Sequence, residues 1–249
     1  RRTWTDTINV PTLDLDTTFG GLTIYKRGGG RQTTSLKFIS ADGSRYTFRS
    51  VDKDPSKAFN YRLRPTIITG YFRDQISSQP PYGAMAVSSL LDELDILHAH
   101  PTLYILPDDA KLGVYQKDYA NLLGMLEEDP KKANNAGEVF GGADKIYQSN
   151  KLFKKLFESR DNHVDEKEFI TARVFDILIG DWSKHEDNWK WAVYNKEDGK
   201  YFRPIPRDRD HTFPLHDGVF PWIVSREWVA KNIETFDYEI KGLKSLMYQ

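Results

Sequence analysis

Three residues suggest chemistry by type and spacing: Asn188, Asp208 and Asp210. An amide and two carboxylates offer the hard oxygen donors that Mg²⁺ takes alongside phosphate and water. The chain between them reads as a hairpin. Trp189-Lys190-Trp191-Ala192-Val193-Tyr194 alternates like a strand, Asn195 to Gly199 carries turn residues, and Lys200 to Ile205 returns. With the turn centred near Asp198-Gly199, paired positions sum to about 396–397. That register sets Asn188 opposite Asp208, with Asp210 just beyond. Arg207 and Arg209 alternate with the two acids, so ion pairing among these four neighbours is the competing reading.

The elements that must position these groups can be read on both sides. Upstream, Asp165 can cap a helix and Glu168 completes a capping-box pattern, with Val164 and Phe169 as a staple. Phe169, Ala172, Val174, Phe175, Ile177, Leu178 and Ile179 predict a largely buried helix that stops at Gly180. The polar loop Asp181 to Asn188 follows, so an apolar helix delivers a polar loop to the mouth of the hairpin. The first third reads as three antiparallel strands at 22–26, 35–39 and 45–51. Gly28-Gly29-Gly30 lies between the first two, and a turn at Ala41-Asp42-Gly43-Ser44 joins the last two. Arg49 falls on the third strand and Lys53 just after it. Residues 66–98 read as helical with a break at Gln79 to Gly83, Leu103 to Leu106 as a strand, and Tyr119 to Glu128 as a helix. Lys151 to Phe157 reads as an ordinary half-buried basic helix.

Composition narrows the classes. The chain has 249 residues, 39% of them hydrophobic, which fits one large globular domain or two packed lobes. Lys+Arg number 35 and Asp+Glu 36, a balance that argues against a general nucleic-acid binder. No apolar run is long enough to span a membrane. With no cysteine, disulfides, thiolate metal sites and cysteine nucleophiles are excluded.

Gly180-Asp181-Trp182-Ser183-Lys184-His185-Glu186-Asp187-Asn188-Trp189, with Ile205 to Phe213, resembles an atypical kinase-like group. That group includes the HipA toxin kinases, the CotH spore-coat kinases and, more distantly, phosphatidylinositol kinases. Within it the likeness is to a bacterial version found in surface proteins beside metallophosphoesterase or outer-membrane barrel domains. It covers most of the chain, including Tyr46 to Pro55 and Ala172 to Trp191. The resemblance implies an α+β, protein-kinase-like two-lobe fold. A small antiparallel β-rich N-lobe would span 1–108 and a larger, mainly helical C-lobe 109–249. It implies ATP with Mg²⁺ (or Mn²⁺) in the interlobe cleft, a phosphate acceptor it does not identify, and membership of a larger cell-envelope protein. Asn188 and Asp208 or Asp210 would bind metal, His185 would order the catalytic loop, and Gly28, Gly29 and Gly30 would close over the phosphates. Arg49 stands where the ATP-contacting lysine is expected, with Lys53 as its substitute. Glu93 or Asp74 would pair with that basic residue. The adenine would sit near Leu103 to Asp109.

Two departures keep alternatives open. The group carries an Asp five residues before the metal-binding Asn, as the base for the acceptor proton. Here that residue is Ser183, which cannot act as a carboxylate base. Asp181 and Asp187 are near in sequence, and both also suit helix-end and turn roles. An arginine in place of lysine presents a planar fork instead of a point charge. Positioning and charge stabilisation dominate phosphoryl transfer, so activity is weakened as an expectation without being removed. The alternatives are an inactive pseudokinase-type interaction module and a metal-dependent phosphohydrolase, the latter on Asp208-Arg209-Asp210-His211-Thr212. That motif should open a doubly wound sheet, and only 39 residues follow Asp210 here.

Overall fold

The computed structural model describes residues 2–28, 34–53, 77–131, 133–181, 184–216, 235–238 and 240. The fold is α+β. Strands β1 (Leu22–Gly28), β2 (Ser35–Ser40), β3 (Arg45–Ser50), β4 (Thr102–Ile105) and β5 (Leu123–Glu128) form an antiparallel sheet in the order β1-β2-β3-β5-β4. The three predicted N-terminal strands are present. Their turn works as its residues suggest: the Asp42 carboxylate accepts from the Ser44 amide at 3.0 Å. Leu36, Phe38, Phe48 and Leu126 bury one face of the sheet with Leu13, Leu106 and Tyr119.

The helix predicted over Tyr119 to Glu128 is a correction. A short helix α2 (Gln116–Tyr119) ends, Asn121 takes a left-handed φ of 59°, and the chain becomes β5 beside β3. Packing decides the outcome. A Cβ on Gly124 would lie 2.3 Å from the Phe48 ring, so this position needs a glycine laid flat beneath an aromatic core residue. Because β5 completes the first sheet, a boundary at 108/109 would cut that sheet. Of the helical stretch predicted over 66–98, α1 (Gly83–Glu93) is the described helix; residues 54–76 lie outside the described set.

The second sheet contains β6 (Lys145–Gln148), β7 (His163–Val164), β8 (Trp189–Lys196) and β9 (Gly199–Pro206), ordered β6-β8-β9-β7. Its pairs are antiparallel except β7 with β9. Helices α3 (Ser149–Glu158) and α4 (Glu166–Leu178) supply Leu152, Ala172 and Phe175 to its core, around Trp189, Trp191 and Phe202. Val87 and Leu91 of α1 join the same core. Residues after 109 are therefore not mainly helical where they are described; the apolar alternation of the hairpin makes a sheet. Among the described residues no helix is long and apolar enough to cross a membrane.

Helix α4 starts as predicted, with Asp165 Oδ1 accepting from the Glu168 amide at 2.9 Å. The Glu168 carboxylate does not return to the cap. It takes Arg203 Nε at 2.7 Å, which ties the helix to β9. The helix buries one face only: Ile170, Val174 and Leu178 are exposed, against the expectation of a largely buried helix. Gly180 ends it at φ 69°.

The β8–β9 register differs by one to two residues from the predicted one. Lys196 pairs with Gly199 and Trp189 with Pro206, so the turn is the two residues Glu197-Asp198. The Arg207 amide, rather than Asp208, comes opposite Asn188 and bonds its carbonyl at 2.8 Å. Gly199 sets this register. It adopts φ 140°, and a Cβ there would fall 1.7 Å from the Asp161 carbonyl oxygen. Gly199→Ala is expected to cost about 2 kcal/mol or more, from strain and a backbone clash together, read as a lower urea midpoint at unchanged m-value.

Candidate functional site

The residues after β9 run Arg207-Asp208-Arg209-Asp210, and each charge finds a different partner. Arg207 Nη2 lies 3.2 Å from Glu127 and its Nη1 3.3 Å from Asp129, both on or just after β5. Asp208 lies 3.8 Å from Arg49 of β3. Arg209 pairs with Asp176 inside α4 and approaches Asp181 at 3.9 Å. Asp210 meets Lys53 Nζ at 2.9 Å. The four neighbours do not neutralise one another; the first sheet and α4 neutralise them.

Lys184 holds the segment in place; the resemblance gave His185 the ordering of the catalytic loop instead. Its side chain is fully buried, pairs with Asp181 at 3.1 Å, and donates to the carbonyls of Arg207 and, at 3.0 Å, Asp208. Asp208 sits at φ 59°, a left-handed conformation uncommon for a residue with a side chain. The lysine bonds stabilise that bend. His185 is exposed and contributes its backbone carbonyl to the Asn188 amide at 2.9 Å. Asp187 is exposed too. Asp181 is buried against Lys184 and Arg209, which fits structural pairing better than proton abstraction. Ser183 lies outside the described residues, as do Gly29 and Gly30.

A cavity of about 70 Å³ is lined by Arg49, Lys53, Glu127, Arg207, Asp208 and Asp210, together with residues of α1 and His98. It brings together four predicted site residues, Arg49, Lys53, Asp208 and Asp210, with Glu127 and Arg207 beside them. Asn188, Gly28 and residues 103–109 do not line it. Asn188 is buried beneath, one backbone bond from Arg207. Gly28 ends β1 against Ser35, where an added Cβ would come 2.7 Å from the serine hydroxyl. The partner of Arg49 is neither predicted acid. Glu127 of β5 holds its Nη2 at 3.1 Å, Glu93 is exposed on α1, and Asp74 lies outside the described residues.

The two aspartates are electrostatically unequal. Burial and the nearby Asp210 charge push the Asp208 carboxyl up from its ordinary value. Burial pushes Asp210 up as well, but Lys53 and Arg49 outweigh it and hold that carboxyl well below the usual range. Both acids line the same cavity, and each already faces a cationic side chain, Arg49 or Lys53. The Asp208 side chain is 45% exposed, so its oxygens are open to the cleft. This donor set fits a hard divalent ion: two carboxylates, with water or phosphate oxygens completing the shell.

Glu127, Asp129, Lys184 and Asp176 went unassigned by the sequence, and Arg209, read as a partner of the neighbouring acids, pairs with Asp176 instead. A signal existed for the first two. Glu127-Glu128-Asp129 is an acidic run directly after an apolar one, but reading it as helix hid its place beside Arg49. Searches against protein families, curated proteins and solved structures gave no match to this chain.

Lys184→Met should destabilise by about 3–5 kcal/mol, because it strands the buried Asp181 charge; Asp181→Asn in the same chain should recover part of the loss in urea denaturation. His211 offers a pH test. Its ring is held down to about 4 from 6.5, first by burial and then by Lys53, and Gln79 Nε2 donates to its Nδ1 at 2.7 Å. Below its ordinary value the unfolded chain binds a proton that the folded chain refuses until about pH 4. Stability therefore falls as pH drops through that window. His211→Gln should flatten the fall by up to one proton, about 1.4 kcal/mol per pH unit, measured as unfolding free energy against pH.

Proposed function

We propose that the chain is a kinase-like domain that binds ATP with Mg²⁺ (or Mn²⁺) where the two sheets meet. The observation that carries this reading is the meeting of Arg49 with Asp208 at 3.8 Å and of Lys53 with Asp210 at 2.9 Å. In protein kinases a basic residue on the third strand serves the nucleotide phosphates, and an Asp after the catalytic-loop hairpin serves the metal. Here the basic group on or after β3 and the acids after β9 converge in one cavity. Asp208 and Asp210 would hold the ion, whose chemistry is to neutralise charge on the phosphate oxygens. Arg49 and Lys53 would bind phosphate oxygens, Arg49 as a fork oriented by Glu127.

The cavity's size bounds the proposal. At about 70 Å³ it is well under the roughly 300–1,000 Å³ of an enclosing ligand pocket. The reading therefore asks it to hold the ion and the phosphate oxygens next to it, with no enclosed adenine site at residues 103–109. The same observation supports the second reading, a pseudokinase-type module in which the charged cleft binds without turnover. Asp181 tied into a buried ion pair favours this too, since it removes one candidate for the missing base. A phosphohydrolase of the Asp-x-Asp type fits less well. Its nucleophile would follow a parallel strand in a doubly wound sheet, whereas Asp208 follows β9 of an antiparallel hairpin.

Isothermal titration with ATP should show binding that requires Mg²⁺ or Mn²⁺, and should stabilise the fold by about 2.7 kcal/mol at 100 times the dissociation constant. Asp208→Asn should weaken it at least about tenfold, near 1.4 kcal/mol. Arg49→Met should weaken ATP more than the metal alone. Absence of nucleotide binding at millimolar ATP and Mg²⁺ would overturn the nucleotide reading. Binding without release of ADP, with protein substrates offered, would select the non-catalytic form.

A further inference from the structure

Away from the acids of the cleft, a second group of ligand-bearing side chains converges. Asp92 lies in the last turn of α1, and His98 and His100 in the segment leading to β4. His100 Nε2 is 2.8 Å and His98 Nε2 3.6 Å from the same Asp92 oxygen, and all three ligand atoms lie within 4.8 Å of one another. A tetrahedral ion with ligands at about 2.0–2.1 Å keeps its donor atoms about 3.3 Å apart. The side chains thus need only small rotations to reach that spacing.

His98 is already prepared as a ligand. It is 5% exposed, and its Nδ1 lies 2.7 Å from the Ile96 carbonyl. A carbonyl can only accept, so Nδ1 carries the proton and Nε2 presents its lone pair. A backbone carbonyl on the other ring nitrogen is the usual support of a metal-bound histidine. Ser88 Oγ, 2.9 Å from Nε2, donates to that lone pair and is the group an ion would displace. An ordinary His100–Asp92 ion pair accounts for the 2.8 Å contact, but not for the second, buried histidine whose Nε2 stands 3.6 Å from the same oxygen.

We propose that Asp92, His98 and His100 bind a divalent transition metal of the Zn²⁺ class. Two imidazoles select such an ion over Mg²⁺, which prefers oxygen alone. Three protein ligands leave a fourth position for water or an incoming donor. The ion would join the end of α1 to the approach to β4. His98 also lines the cavity that Arg49 and Asp208 line. The sequence signal is Asp-x5-His-x-His, weak by itself because its members belong to a helix end and a loop.

The test is calorimetric titration of the full chain with ZnCl₂ after chelator treatment, with MgCl₂ in excess throughout. One equivalent should bind. His100→Ala, at an exposed position, should weaken it by roughly tenfold or more, as should Asp92→Asn. Asp208→Asn should leave it unchanged, which separates this site from the cleft acids. Ser88→Ala should bind at least as tightly as the parent, since it removes the competing hydrogen bond. Cobalt(II) should give a visible tetrahedral absorption that His100→Ala abolishes. Failure to bind an equivalent of zinc, or binding indifferent to both His100→Ala and Asp92→Asn, would overturn the proposal whatever the ATP titrations give.

Discussion

Four consecutive charges after β9 cannot leave water without partners, and the route of the chain through the centre of the molecule follows from how they find them. Each unpaired buried ion would cost several kcal/mol. Arg207 is neutralised by Glu127 and Asp129, Asp208 by Arg49, Arg209 by Asp176, and Asp210 by Lys53. Three of these sets of partners stand on or beside the first sheet, and the fourth on α4. The segment is therefore the fastening between the two sheets. Lys184 fixes its backbone from below, through the Arg207 and Asp208 carbonyls. Asp129 is the second hub. It collects Lys37, Lys131 and Arg207, and these outweigh the push of burial to hold its carboxyl ionised.

What the sequence made legible was local. The three N-terminal strands, the Asp165 cap, the stop at Gly180 and the existence of the β8–β9 hairpin each rest on residues within a few positions of one another. What it hid was set by distant contacts. Tyr119 to Glu128 carries apolar spacing compatible with a helix, and only the flat approach of Gly124 to Phe48 makes it a strand. The hairpin register moved because Gly199, taken as part of the turn's centre, is instead the first residue of β9, pressed against Asp161. At the site, Asp208, Asp210, Arg49 and Lys53 were identifiable by type. Their exchange of partners was not, because the nearest charges in sequence are not the nearest in space. Lys184 and His185 are adjacent, and nothing in their local pattern marks the lysine as the support; only its burial against Asp181 and the Arg207 and Asp208 carbonyls does.

The same pairing that stabilises the segment also shapes what the cleft can do. Arg49 and Lys53 each have a carboxylate, so neither can give its full charge to a phosphate while that bond persists. Conversely, Asp208 and Asp210 cannot both turn to a cation while each is held by a base. The pairs are not equally firm. Asp210 is strongly held by Lys53 at 2.9 Å, its carboxyl depressed by Lys53 and Arg49 against burial, whereas Asp208 meets Arg49 only at 3.8 Å and its side chain is 45% exposed. The looser acid is thus the one freer to change partners. Arg49 has Glu127 to retain it when Asp208 turns away. A guanidinium shared between two carboxylates can release one without becoming an unpaired buried charge, which a lysine ammonium at the end of a flexible stem would do less readily. The arginine on β3 is thus matched to the glutamate on β5, and the sheet itself supplies the counter-charge that keeps Arg49 paired when Asp208 turns away.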